Sequence, residues 1–268
     1  MVWFFIKKNF CDGWDNLLSI FITNVLFILI AVGLWFLYPF AAIFNNPLYK
    51  FLYLVIVSIV ISIFLFAYGD TAFQIADFKG IKIFDFIKSI PYIIKDAALF
   101  GVFVSFVITI SYVSITYYWS EAFLTKFGML GLLLGTLILW LDLFCILSLI
   151  WFVPLYSTMH NPFKKTLKKC FMIFFDNTGF CFLMGIYNLV LIALSIVLLG
   201  IAPGASGLLI ANANALRLRL YKYDYLEAHP ELKTKSERRS IPWEELIYDD
   251  RETLGPRKIK SFIFPWKE

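Results

Sequence analysis

The chain has 268 residues, of which 60% are hydrophobic, 19% aromatic and only 16% charged. One soluble core of this size cannot hide that much apolar surface, so a soluble single-domain protein is excluded and an integral membrane protein is predicted. The formal charge of +5 falls in short blocks between apolar runs of about 16 to 26 residues, long enough to cross a hydrocarbon core of roughly 30 Å. It is therefore a topology signal and not the footprint of a nucleic-acid surface.

Residues 1–16 form a short entry segment carrying Lys7 and Lys8, and the first apolar run follows at 17–38, with Pro39 helping to end it. This start lacks the small-residue cleavage site of a secretory leader, so the first span is expected to stay as an anchor. A nearly uncharged link through Asn45, Asn46 and Pro47 leads to a second run at 48–68, which makes the pair an antiparallel hairpin. Residues 69–96 mix lysines with aspartates and cannot span. A third run at 97–118 and a fourth at 128–153 are joined by a linker whose only charges are Glu121 and Lys126.

The segment NPFKKTLKKCFMIFFD (161–176) is the clearest amphipathic helix. Phe163, Thr166, Leu167, Cys170, Phe171, Ile173 and Phe174 share one side, and Lys164, Lys165, Lys168 and Lys169 the other. Asn161 is the expected N-cap, with Pro162 at the first helical position. Four lysines on the wet face suit anionic headgroups and predict a helix lying on the membrane surface. A fifth run, 177–199, and a sixth, 201–216, follow almost without a link. At about 24 Å if helical, the sixth is either a short span or a re-entrant element.

Placing the N-terminus inside leaves only Lys50 and Lys126 on the far side, so 22 of the 24 Lys and Arg residues lie in the cytoplasm. The expected architecture is thus all-α and polytopic, with about six spans in residues 1–220 and both ends cytoplasmic. The segments IKKNFCDGWDN, IKSIPYIIKDA and LKKCFMIFFDN align at offsets of 81 and 80 residues. They predict three copies of an amphipathic ramp followed by a transmembrane hairpin. Asp15, Asp96 and Asp176 then become equivalent, each an acid that complements the dipole at the start of a span.

From 221 to 268 the chain is a charged cytoplasmic tail, too small and polar to form a domain alone. Its end puts Phe262, Phe264 and Trp266 beside lysines, a mix that suits docking into headgroups or a partner's groove as an alternative to disorder.

Few residues offer chemistry. Gly204-Ala205-Ser206-Gly207 resembles the serine motif of rhomboid proteases, but no histidine lies on a later span to serve as its base. Packing explains the segment better, with Gly207, Ala211 and Ala215 four apart as a small-residue stripe and Asn212 and Asn214 as interhelical donors. Asp142 lies well inside the fourth run. A lone carboxylate there costs at least about 2.5 kcal/mol, so it must face the bundle interior, a partner or water. It is either a proton- or cation-linked site, with Asn24, Asn188 or Asn212 nearby, or a structural contact. The four cysteines show no paired spacing and read as reduced packing residues; no metal-ligand or cofactor motif occurs.

The basic entry at 5–16, FKGIKIFDFIKSI before the third run, NPFKKTLKK before the fifth and ANANALRLRLYKYDYLE at the end of the last resemble the YesL-like family of small bacterial membrane proteins. That resemblance covers about residues 1–225, and the tail ending FIFPWKE departs from it. It implies an inner-membrane accessory protein, without catalytic activity, cofactor or metal, serving another membrane system such as a sugar-uptake ABC transporter. The expected partners are the lipid bilayer and a membrane protein or second copy of the chain, with no nucleic acid. A small transporter or channel using Asp142 is the alternative.

Overall fold

The computed structural model describes residues 1–43, 46–82, 84–232 and 241–257. Twelve helices order them: α1 (Val2–Asp15), α2 (Leu17–Ile43), α3 (Pro47–Ala76), α4 (Asp85–Tyr118), α5 (Glu121–Phe127), α6 (Met129–Leu149), α7 (Phe152–Met159), α8 (Phe163–Asp176), α9 (Thr178–Val197), α10 (Gly204–Ala228), α11 (Trp243–Leu246) and α12 (Tyr248–Leu254). Five stretches are long and apolar enough to cross a membrane: α2, α3, α4, α6 with α7, and α9. The chain is an all-α polytopic membrane protein.

Several helices overrun the predicted spans. Pro39 lies inside α2, which continues to Ile43; the ring costs the helix its own N–H bond without ending it. The segment read as a mixed-charge loop from 69 to 96 is mostly helical, with α3 running on to Ala76 and α4 starting at Asp85. At 34 residues, α4 is about 51 Å long and projects beyond the apolar layer. Asn46 caps α3 by accepting the Leu48 N–H, with Pro47 in the first turn, and Ser120 caps α5.

The three expected ramps take two forms, and one residue type separates them. In the first and third copies the ramp is its own helix and breaks at Asn16 or Asn177; in the second, where Ala97 holds that position, α4 runs straight through. Asn16 donates its side-chain amide to the Asp12 carbonyl at 2.9 Å, and Asn177 donates to the Ile173 carbonyl at 3.2 Å. Each gives a second donor to a carbonyl that already accepts the asparagine's own backbone N–H, whereas alanine has no such side-chain bond to offer and favours continuation.

α3 and α10 form the centre. α4 packs along α3, α10 lies on its other side, and α1, α2, α7 and α9 close around α10. Gly101 lets α4 approach α3, since a Cβ there would sit 2.6 Å from the Ile59 Cα. An aromatic cluster ties α3, α4 and α7 to α8: Phe100 and Phe152 have ring centroids 4.5 Å apart, and Phe66 and Phe163 flank them. Large apolar side chains at Trp35, Phe36, Phe40, Leu133, Trp140 and Leu199 are exposed, as a lipid-facing belt requires.

The sixth run departs most from its predicted bounds. It is helical from Gly204 to Ala228, but the α9–α10 turn is held by Asn24, which donates to the carbonyls of Ile201 (2.9 Å) and Pro203 (2.8 Å) and accepts the Ser206 N–H (3.0 Å). Gly200 packs on Ile28. Those contacts lie roughly 10 to 17 Å along α2 from its start, so the turn into α10 packs against the body of α2 and not at its end. Polar backbone in that turn is admissible because protein groups satisfy it.

Candidate functional site

The four predicted polar residues do not share one hydrogen-bonded cluster, although two of them pair. Asp142, on α6, accepts a 2.6 Å hydrogen bond from Ser111 of α4 and is half-buried. Asn24 staples the α9–α10 turn, and Asn188 of α9 donates to Asn212 of α10 at 2.9 Å. The small-residue stripe is partly as expected, because Ala211 and Ala215 are fully buried. Gly207, however, makes room for Pro203 of its own turn and not for a neighbouring helix. Ser206 is buried, and the histidines sit at the C-terminal ends of α7 and α10.

α8 is amphipathic as read, with Lys164, Lys165 and Lys168 exposed and Lys169 half-buried against the Met159 sulfur. Its apolar side is not laid into headgroups: Thr166, Cys170, Ile173 and Phe174 are buried in the core, beside α4, α6 and α7. Met172 and Phe175 remain exposed. The helix begins at Phe163, one residue later than expected, with Pro162 at the cap position and no side-chain capping bond. Phe262, Phe264 and Trp266 lie outside the described residues.

What does assemble is a buried polar cluster at the basic end of α10. Lys8, only 2% exposed, pairs with Asp12 one turn on at 2.8 Å and lies over the Phe78 ring, 3.7 Å from its centroid. Asn214 of α10 donates to the same Asp12 carboxylate at 2.8 Å. Burial pushes the Asp12 carboxyl up, against the pull of Lys8, and pushes the Lys8 ammonium down, against the pull of Asp12.

One turn further along α10, Arg217 bridges two acids. It pairs with Asp77 at the end of α3 and with Asp250 of α12 at 2.9 Å, and it donates to the Ala76 carbonyl at 3.0 Å. Tyr221 accepts from Arg217 Nε (2.8 Å) and donates to Asp250 (3.1 Å). Burial would raise the Asp77 carboxyl, but its hydrogen bond to Lys79 and the Arg217 charge outweigh this and hold it below its ordinary value. Residues 241–257 of the tail therefore pack on the bundle: α12 buries Leu254, Ile247 just before it is buried too, and Arg257 reaches Asp15 at 2.7 Å.

Residue order hid this cluster. Arg217 and Arg219 read as the basic stop of a last span, and the Lys8–Asp12 spacing of four, a helical ion pair, was the available signal for one half. The Arg217–Asp250 pair, 33 residues apart, had none. Among the described residues no group of three or more His, Cys, Asp or Glu side chains is placed to hold a metal ion, and the four cysteines are unpaired. No family model matches this chain, and neither does any curated protein or solved structure.

Proposed function

We propose that this chain is a non-enzymatic accessory protein of the bacterial inner membrane, in the manner its resemblance to the YesL-like proteins implies. It works by presenting a preformed cytoplasmic face to another membrane system, of which a sugar-uptake ABC transporter is the instance implied. The observation that carries this reading is the folded-back tail: Asp250 on Arg217, with Ile247 and Leu254 buried, joins residues 241–257 to the bundle. A shaped surface of this kind is what a partner protein binds. The match of Asp142 with Ser111, apart from the three asparagines, supports it over a transporter built on that carboxylate.

The test is purification of tagged full-length protein from native membranes in mild detergent, beside full-length protein carrying Asp250→Asn and a chain ending at Ala228. A stoichiometric companion, reduced by Asp250→Asn and lost with the shorter chain, is the expected result. Recovery of the chain alone, or with the same companion in all three preparations, would refute the reading.

A further inference from the structure

The second arginine of α10 lies in a different setting from the first. Arg219 is 5% exposed, yet among the described residues no carboxylate lies within ion-pair distance of it. Its guanidinium stacks on Phe180, 3.9 Å from the ring centroid, and on Trp243 at 4.9 Å. Aromatic faces attract the charge but cannot accept the in-plane N–H donors at its edges. Of those donors, Nη1 reaches Asn177 Oδ1 at 3.2 Å, Nη2 meets the Met1 thioether, a weak acceptor, and Nε has no partner. A buried cation in that state is expensive unless something neutralises it.

That arginine borders a cavity of about 410 Å³ at the α8–α9 hinge. The first turn of α9 lies on its wall, and Asn177 at the cap position makes no side-chain capping bond. The amides of that turn and the helix dipole favour an anion. Gly179 leaves open space there, since a Cβ would meet nothing within 4 Å. Lys222 also lines the cavity, paired with Asp176 at 2.7 Å and with Asn177 at 2.8 Å. Among the described residues lining the cavity, two are cations, Arg219 and Lys222, and one is a carboxylate, Asp176.

We propose that this cavity, bounded by Arg219, Lys222, Asn177 and the start of α9, binds a phosphate group. Phosphate offers the counter-charge that Arg219 lacks among the described residues, and it suits a helix N-terminus. The group belongs either to an anionic lipid headgroup or to a soluble phosphate compound, because the hinge lies at the basic end of the bundle beside the exposed Phe175. The inference goes beyond the accessory reading and does not depend on it.

Full-length protein in uncharged detergent would be titrated with inorganic phosphate by calorimetry at matched ionic strength, and with dioctanoyl phosphatidylglycerol by native mass spectrometry. One site per chain is expected to saturate with one of the two probes. Arg219→Gln weakens it by at least about tenfold, the worth of a charge-assisted hydrogen bond, and Lys164→Gln leaves it unchanged. Gly179→Leu fills the space without removing the cation, weakens binding equally, and decides the matter if Arg219→Gln does not fold. Saturation by inorganic phosphate assigns a soluble ligand, and saturation by the lipid alone assigns a headgroup. Absence of saturable binding with both probes, or equal binding by wild type and Gly179→Leu, would overturn the proposal.

Discussion

Lys8 and Asp12 show how a pair of charges survives when buried in protein. Among the described residues each is the other's only ionic partner within hydrogen-bond distance, with Asn214 taking part of the Asp12 carboxylate. Burial raises the one carboxyl and lowers the one ammonium, so the pair contributes less stability than its geometry suggests. Removing one partner is the costly change, because it strands the other. Asp12→Ala is expected to destabilise the detergent-solubilised protein by about 3–5 kcal/mol. The double change Lys8→Met with Asp12→Leu should recover most of that, since a matched apolar pair avoids desolvation altogether. Unfolding midpoints of the three variants check this; equal losses in the single and double variants would contradict it.

At the scale of elements, Arg217 is the joint between bundle and tail. It holds the end of α3 through Asp77 and α12 through Asp250, at 15% side-chain exposure, where an ion pair is less screened than on the surface. Asp77 sits below its ordinary value of 3.8 in the folded protein. A depressed carboxylate contributes stability that is complete above the ordinary value and declines as pH falls through the lower, folded one. Protection factors across 241–257, taken relative to the intrinsic exchange rate at each pH, are therefore expected to fall on acidification through that range. With Arg217→Gln they should already be low at neutral pH. Unchanged protection in that variant would show that Ile247 and Leu254 hold the tail unaided. The ramps make a related point: Asn16 and Asn177 hinge two of them through side-chain bonds to carbonyls, and Ala97 fuses the third.

For the whole molecule, the core and the lipid-facing belt lie at different depths. Fully buried side chains crowd the basic end, from Phe66 to Ala76, Trp151 to Tyr156 and Ile210 to Leu218, while α6 exposes Leu130, Leu133, Leu137 and Leu141 along its far half. Lys126 lies in α5, between the far ends of α4 and α6. With the basic end cytoplasmic, single cysteines at positions 126 and 165 in a cysteine-free background should differ in labelling by an impermeant maleimide on intact cells. Position 126 should react and position 165 should not, and the reverse pattern would invert the topology.

The residue pattern alone settled the class of protein, the approximate place of the apolar helices and the amphipathic character of α8, because apolar run length and helical periodicity are local properties. It also carried the three-ramp repeat, as a lysine eight residues before an acid in Asp15, Asp96 and Asp176. Only the tertiary structure decided that the apolar face of α8 is buried by protein, because hydrophobic patterning is the same whether lipid or a helix covers it. Only it showed that the turn into α10 is held by α2, since that rests on Asn24 reaching a turn 177 residues away. The acidic partners of Arg217, and the lack of one for Arg219 among the described residues, were equally beyond local reading: two arginines two residues apart on one helix point to different sides, and each side is built by distant segments.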